Sequence, residues 1–263
     1  WSLSSMGPLA HTLALLAMTV ATTAITVVPL NMAPDSFDDQ YRGCRDDMMA
    51  ALPALNRSEQ QQNKNFSQVW VKATAEWQKK MSTRSRLSPD QANAVMIYTM
   101  KDVHREFNAG VRKAGQSSRE YRDNFHFKTL HFLLTDALAT LRSEQPCREV
   151  YRGVRGTQFQ AQRGDTVRFG QFTSTSLLKE VADEYGKDTT FRVYTCQGVA
   201  IWDYSYDYSA REVLIPPFET FEVTNYTQKG NTVEIQLRST GNHSKYNCEW
   251  LRGDVTGAAW GDR

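Results

Sequence analysis

Cys147-Arg-Glu-Val-Tyr-Arg-Gly-Val154 divides this chain into two textures, and the division decides the fold. Behind it come short runs of strand character: Val150 to Val154, Thr166 to Leu177, Thr190 to Cys196, Val199 to Tyr204, Glu212 to Val223, Thr232 to Leu237 and Tyr246 to Leu251. Gly156, Gly164-Asp165, Gly186, Gly198, Pro216-Pro217 and Gly230 separate them as turns. Ahead of it the apolar spacing is helical. Helices first and strands second predict an α+β fold with a mainly antiparallel two-sheet β core, not an alternating βαβ array. No G-x-G-x-x-G occurs, which argues against a dinucleotide-binding Rossmann unit.

Within the helical part, Phe37, Tyr41, Cys44 and Met48 recur at i, i+4, i+7 and i+11, with Ser36 placed to cap a helix. Trp70, Thr74, Trp77 and Met81 repeat the pattern after Ser67. Ser88-Pro-Asp-Gln91 combines a capping serine, a proline at the first helical position and a glutamine three residues on, so a helix is predicted from there toward Tyr98. Ser117 and Glu120 form a similar box. Phe127, Leu130, Leu134, Leu138 and Leu141 make a continuous stripe and read as core. His131 inside that helix, and His126 before it, have no paired cysteine, serine or carboxylate motif and read as structural.

The chain has 263 residues and a net charge of +2, long enough for a core without metals and too near neutral to capture nucleic acid. Its four cysteines, Cys44, Cys147, Cys196 and Cys248, show no C-x-x-C spacing, so disulfides in one of three pairings are expected and a metal site is not. Residues 1–28 read as a signal peptide with cleavage near Ala24; a signal anchor is the competing reading, because the leading segment holds His11 but no Lys or Arg. Glycosylation sequons begin at Asn56, Asn65, Asn225 and Asn242. With the leader and the cysteines they favour secretion. A single domain is expected over residues 29–251, helical over 36–142 and β-rich over 147–251. The polar tail, 252–263, lacks the hydrophobic stretch of a lipid-anchor signal, so no stable membrane anchor is expected.

Three motifs carry the chemistry, in this order: Arg152 in Val150-Tyr-Arg-Gly-Val154, the serine-rich Phe172-Thr-Ser-Thr-Ser-Leu177, and Glu212 in Ser209-Ala-Arg-Glu-Val-Leu-Ile-Pro-Pro217. Together they resemble the R-S-E triad of the arginine-specific mono-ADP-ribosyltransferases, vertebrate ecto-enzymes related to cholera-like toxins. The resemblance runs from about Pro29 to about Leu251 and includes Asp35-Ser-Phe-Asp-Asp-Gln-Tyr41, Asn124-Phe-His-Phe-Lys-Thr-Leu-His-Phe-Leu-Leu134, Val213-Leu-Ile-Pro-Pro-Phe-Glu-Thr-Phe-Glu-Val223 and Tyr246-Asn-Cys248.

The resemblance implies transfer of ADP-ribose from NAD or NADP, as substrate, to arginine side chains of proteins. It implies no prosthetic group, and disulfides pairing Cys44 with Cys248 and Cys147 with Cys196; a secreted monomer is expected. Losing nicotinamide builds positive charge on the ribose, and a carboxylate beside it, Glu212, stabilises that charge. Arg152 lies in an otherwise apolar strand, where burying a guanidinium is costly unless an anion pairs with it; a pyrophosphate suits it, because the planar fork makes two parallel charge-assisted bonds. Ser174 is expected to hold Glu212 or the ribose; Ser176 shares its strand face. No G-x-S-x-G elbow makes it a nucleophile. Tyr98, Gly153 and Ser205 are implied as further NAD contacts. Tyr206, Asp207 and Tyr208 occupy the family's target-recognition turn, where rings and a charge suit a guanidinium.

One position departs from the family. Members carry Glu-x-Glu where this chain has Ala210-Arg211-Glu212. On strand geometry positions 210 and 212 share a face, so Arg211 is no substitute and Asp207 is the nearest candidate. Three functions are therefore set against one another: an arginine transferase, an NAD glycohydrolase with water as acceptor, and a non-enzymatic secreted glycoprotein.

Overall fold

The computed structural model describes residues 24–80, 85–142 and 145–253. Six helices precede most of the strands: α1 (Arg45–Gln62), α2 (Lys64–Lys80), α3 (Pro89–Thr99), α4 (His104–Ala114), α5 (Ser118–Asn124) and α6 (Lys128–Arg142). The capping box of α3 forms in full: Gln91 N donates to Ser88 Oγ at 3.3 Å and Ser88 N to Gln91 Oε1 at 2.8 Å. α6 is the central helix, buried without a break from Lys128 to Leu138. The predicted stripe through Leu130, Leu134, Leu138 and Leu141 lies inside it.

The strands are β1 (Thr26–Pro29), β2 (Arg148–Val154), β3 (Thr157–Gln160), β4 (Thr166–Val167), β5 (Thr173–Ser176), β6 (Thr189–Thr195), β7 (Val199–Ala200), β8 (Glu212–Ile215), β9 (Glu219–Lys229) and β10 (Thr232–Asn242); a short helix, α7 (Lys179–Glu184), follows β5. β1 and β3 form a parallel pair, and the others an eight-stranded sheet in the order β4-β9-β10-β6-β2-β5-β8-β7. Every neighbour pair in the large sheet is antiparallel except β10 with β6. β2 and β5 meet at one paired position only, Tyr151 with Ser176. Strand alternation divides β8 between two cores. Leu214 packs into the helical core with Phe107, Leu134 and Phe172, while Val213 and Ile215 join Val150, Phe191, Val193 and Ile235.

Several boundaries differ from expectation, each for a local reason. Residues 35–44 do not form the predicted Ser36-capped helix. Tyr41 and Gly43 take left-handed backbone, and Asp39 Oδ1 accepts the Tyr41 N–H at 2.7 Å. Phe37, Tyr41, Cys44 and Met48 are buried all the same. α2 starts at Lys64, where Asn63 Oδ1 accepts Phe66 N at 3.0 Å, and it buries Phe66, Val69, Ala73 and Trp77, not the stripe through Trp70 and Thr74. Met81 lies outside the described residues. Ser117 caps α5, but the Glu120 carboxylate pairs with Lys113 at 2.8 Å, so only half the box exists. The run 166–177 breaks at Gly170, φ +65°, and 212–223 at Pro216-Pro217, whose nitrogens cannot join a ladder. Val199 to Tyr204 shortens to β7. Tyr246 to Leu251 is a turn followed by a 3-10 segment, because Asp38 and Asp39 take the N–H groups of Lys245, Tyr246, Cys248 and Glu249.

β1 begins two residues beyond Ala24; the rest of the expected leader, residues 1–23, and the tail after 253 lie outside the described residues. Among the described residues no helix is long and apolar enough to cross a membrane. Both implied disulfides form, Cys44 with Cys248 and Cys147 with Cys196. Arg168 and Asp38 make a fully buried ion pair at 2.6 Å.

Candidate active site

The single β2–β5 bridge is the pivot of the site. One residue past it, Arg152 donates from Nη1 to the Ser174 carbonyl at 2.8 Å. Glu212 opens β8 opposite Ser176, and Ser174 lies two residues along the same face. From the helical side, the Tyr98 hydroxyl at the end of α3 donates to Phe172 O at 2.9 Å and lies 3.4 Å from Ser174 Oγ. Arg152, Ser174, Tyr98 and Glu212 thus converge between the two halves of the fold.

Burial raises the Glu212 carboxyl above the ordinary glutamate range; the Ser174 hydroxyl, Lys101 and Arg152 oppose the rise, and Asp207 adds to it. Arg152 is pulled down by burial, with Tyr98 and Glu212 acting against that; it remains a cation. Ser176 serves the backbone: its Oγ donates to Ala210 O at 2.7 Å and accepts Leu178 N at 3.0 Å. Gly153 is required for packing, since a Cβ there would sit 2.3 Å from the carbonyl oxygens of Ala182 and Gly186. Ser205 is buried, its hydroxyl donating to Asp207 O at 2.9 Å within its own turn.

Sequence reasoning missed three neighbours. His104, in the first turn of α4, packs its ring edge on Tyr98 at 4.9 Å; burial, then the charge of Arg152, lowers its pKa to about 4. Asn108, one turn on, donates to Phe172 O at 3.0 Å and lies 3.3 Å from His104 Nε2. Lys101, in left-handed backbone, reaches across to donate to the Tyr185 hydroxyl at 2.7 Å. The signal for α4 was present in Val103, Phe107, Val111 and Ala114, all buried at helical spacing.

The turn before β8 has an anchored root and an exposed tip. Tyr204 is buried and stacks on Trp77 at 5.7 Å, while Tyr206 and Tyr208 are 52 % and 50 % exposed. Asp207 Oδ1 accepts Ser209 N at 2.9 Å and Ser209 Oγ at 2.6 Å, which holds its carboxyl below the usual range. The strand reading of position 210 is corrected here. Ala210 ends a 3-10 turn over Tyr208–Ala210, and Arg211 takes left-handed backbone at φ +44°, so strand alternation begins only at Glu212. The Arg211 guanidinium lies over the Tyr208 ring at 4.3 Å. The guanidinium on that ring is the chain's own. Among the described residues no group of His, Cys, Asp or Glu is arranged to hold a metal.

A family model described as NAD:arginine ADP-ribosyltransferase matches residues 30–245. NAD(P)(+)--arginine ADP-ribosyltransferase 2 of Gallus gallus is 50% identical over 243 residues, covering 90% of this chain and 77% of the relative. The GPI-linked NAD(P)(+)--arginine ADP-ribosyltransferase 1 of Mus musculus is 47% identical, covering 85% of this chain and 74% of its own. Among solved structures, the eukaryotic mono-ADP-ribosyltransferase ART2.2 superposes with a TM-score of 0.75 at 35% identity, over 85% of this chain and 98% of that one. A glutamate-to-alanine variant of it, solved in complex with NADH, gives 0.74 at the same identity, over the same shares of both chains. The chain belongs to the NAD:arginine ADP-ribosyltransferase family.

Proposed function

We propose that this protein transfers ADP-ribose from NAD or NADP to the guanidinium of protein arginines and releases nicotinamide. The observation that carries the reading is the convergence of Arg152, Ser174, Tyr98 and Glu212 on one cleft. Arg152 binds the pyrophosphate with the donors not given to Ser174 O. The Ser174 hydroxyl orients the Glu212 carboxylate, backed by Tyr98. Glu212 accepts a ribose hydroxyl and opposes the positive charge that grows as the glycosidic bond breaks. The bonding pair leaves with nicotinamide, the acceptor nitrogen forms the new bond to the ribose carbon, and its surplus proton passes to solvent water. Tyr206, Asp207 and Tyr208 present the acceptor. Gly153 and Ser205 act by shaping the strand and the turn.

A second reading, NAD hydrolysis, is favoured by two observations. Position 210 offers no carboxylate, and Asp207 is turned onto Ser209. Retention of the triad speaks against a purely structural role. Incubation with NAD and agmatine, following nicotinamide and ADP-ribosylagmatine separately, distinguishes transfer, hydrolysis alone and neither. Two disulfides and four sequons support a chain that passes through the secretory pathway, folded as one domain over residues 29–251.

A further inference from the structure

Lys80 ends α2, and it reaches a turn 125 residues further along the chain. Its Nζ donates to Ser205 O at 2.9 Å and to Tyr206 O at 2.7 Å, and lies 5.8 Å from the centre of the Tyr206 ring. The same helix face presents Trp77, three residues earlier, to Tyr204. Thr99, the last residue of α3, accepts the Tyr206 N–H at 2.9 Å, and Arg86 N donates to the Tyr204 hydroxyl at 3.2 Å. The root of the turn is therefore fastened to the helical half. Of the contacts named here, Lys80 makes its own through a charged side chain. An ammonium has three donors, and engaging two successive carbonyls with one cation keeps the backbone bent at Tyr206. That bend sets the direction in which the exposed Tyr206 ring, and Asp207 and Tyr208 after it, are held out.

We infer that Lys80 is a positioning residue for acceptor recognition: by pinning the carbonyls of Ser205 and Tyr206 it decides how the ADP-ribosyl group is divided between a guanidinium and water. The inference rests on reading residues 206–208 as the acceptor turn. Lys80→Met keeps the aliphatic stem and removes the donors and the charge; Lys80→Arg restores both. Each is made in the parent and with Ala210→Glu, so a parent that only hydrolyses NAD still yields a ratio of products. Loss of charge-assisted hydrogen bonds predicts a roughly tenfold fall in kcat/KM for agmatine with Lys80→Met. KM for NAD stays within about twofold, and Lys80→Arg recovers most of the transfer. Amide hydrogen exchange over 205–209 rises in Lys80→Met and not elsewhere. Tyr206→Ala and Tyr208→Ala serve as controls. If they leave the product ratio unchanged, or if neither background transfers, the acceptor reading falls and this inference with it. If they shift the ratio while Lys80→Met leaves both ratio and exchange untouched, the role of Lys80 alone is overturned.

Discussion

Replacing Glu212 by glutamine keeps the shape of the side chain and removes its charge. A carboxylate about 4 Å from a developing unit charge, at an effective dielectric of about 20, contributes about 4 kcal/mol, or roughly a thousandfold in rate. The amide oxygen retains a hydrogen bond to the ribose, so part of this survives. We expect kcat for nicotinamide release to fall by about 10²- to 10³-fold, the scale of losing one electrostatic stabiliser. NAD affinity, measured by equilibrium binding, should stay within about threefold, because Arg152 is untouched. The charge also has a signature in stability. Burial raises the Glu212 pKa, so the folded state binds that proton more tightly than the unfolded chain does. The ionised carboxylate therefore destabilises the fold above its raised pKa, and this penalty vanishes below the ordinary glutamate range. Thermal melts should show Glu212→Gln at least as stable as the parent at pH 7, with the gap closing on acidification. A glutamine variant that turns over NAD at the parental rate would falsify the assignment.

Arg152→Lys should weaken NAD binding about tenfold, since a point charge does not replace a fork that also holds Ser174 O; unchanged affinity in equilibrium dialysis counts against the pyrophosphate role. Ala210→Glu sets a carboxylate in the turn two residues before Glu212, and transfer to agmatine should rise about tenfold relative to hydrolysis. A variant that binds NAD yet transfers no better than the parent sinks the idea that position 210 limits acceptor chemistry. Asp38→Ala leaves Arg168 buried without its carboxylate partner and should destabilise the oxidised protein by about 3–5 kcal/mol in urea unfolding; a loss under about 1 kcal/mol would show the pair to be dispensable.

What the sequence disclosed followed the kind of signal each residue gives. The capping box at Ser88 and Gln91 is local chemistry, and it forms where the motif stands. Apolar spacing reported burial faithfully but not backbone. Phe37, Tyr41, Cys44 and Met48 are all interior, yet the first three are reached without a helix, held by Asp39 and the Cys44–Cys248 bridge, and only Met48 lies in α1. At the candidate site, Arg152, Ser174 and Glu212 stood out through the family resemblance of the strand motifs that carry them, and the fold brings those motifs together. His104, Asn108 and Lys101 were not, because they arrive from α4 and the loop before it through tertiary packing. The left-handed Arg211 also escaped notice, since a non-glycine residue gives no warning of positive φ.

The two disulfides make a ring within a ring. Cys44 and Cys248 stand 204 residues apart, and the smaller loop closed by Cys147 and Cys196 lies wholly inside that span. Arg152, Ser174 and Glu212 all fall within the outer ring, so a protease that nicks the exposed Tyr206–Tyr208 tip severs the main chain without releasing any part of the triad. The two ends of the cut remain tethered through Cys248 on one side and Cys44 on the other. Synthesis feels the same topology from the opposite direction. Cys44 leaves the ribosome early and waits for a partner that emerges only after every strand has been made, so the helical half receives its covalent fastening last.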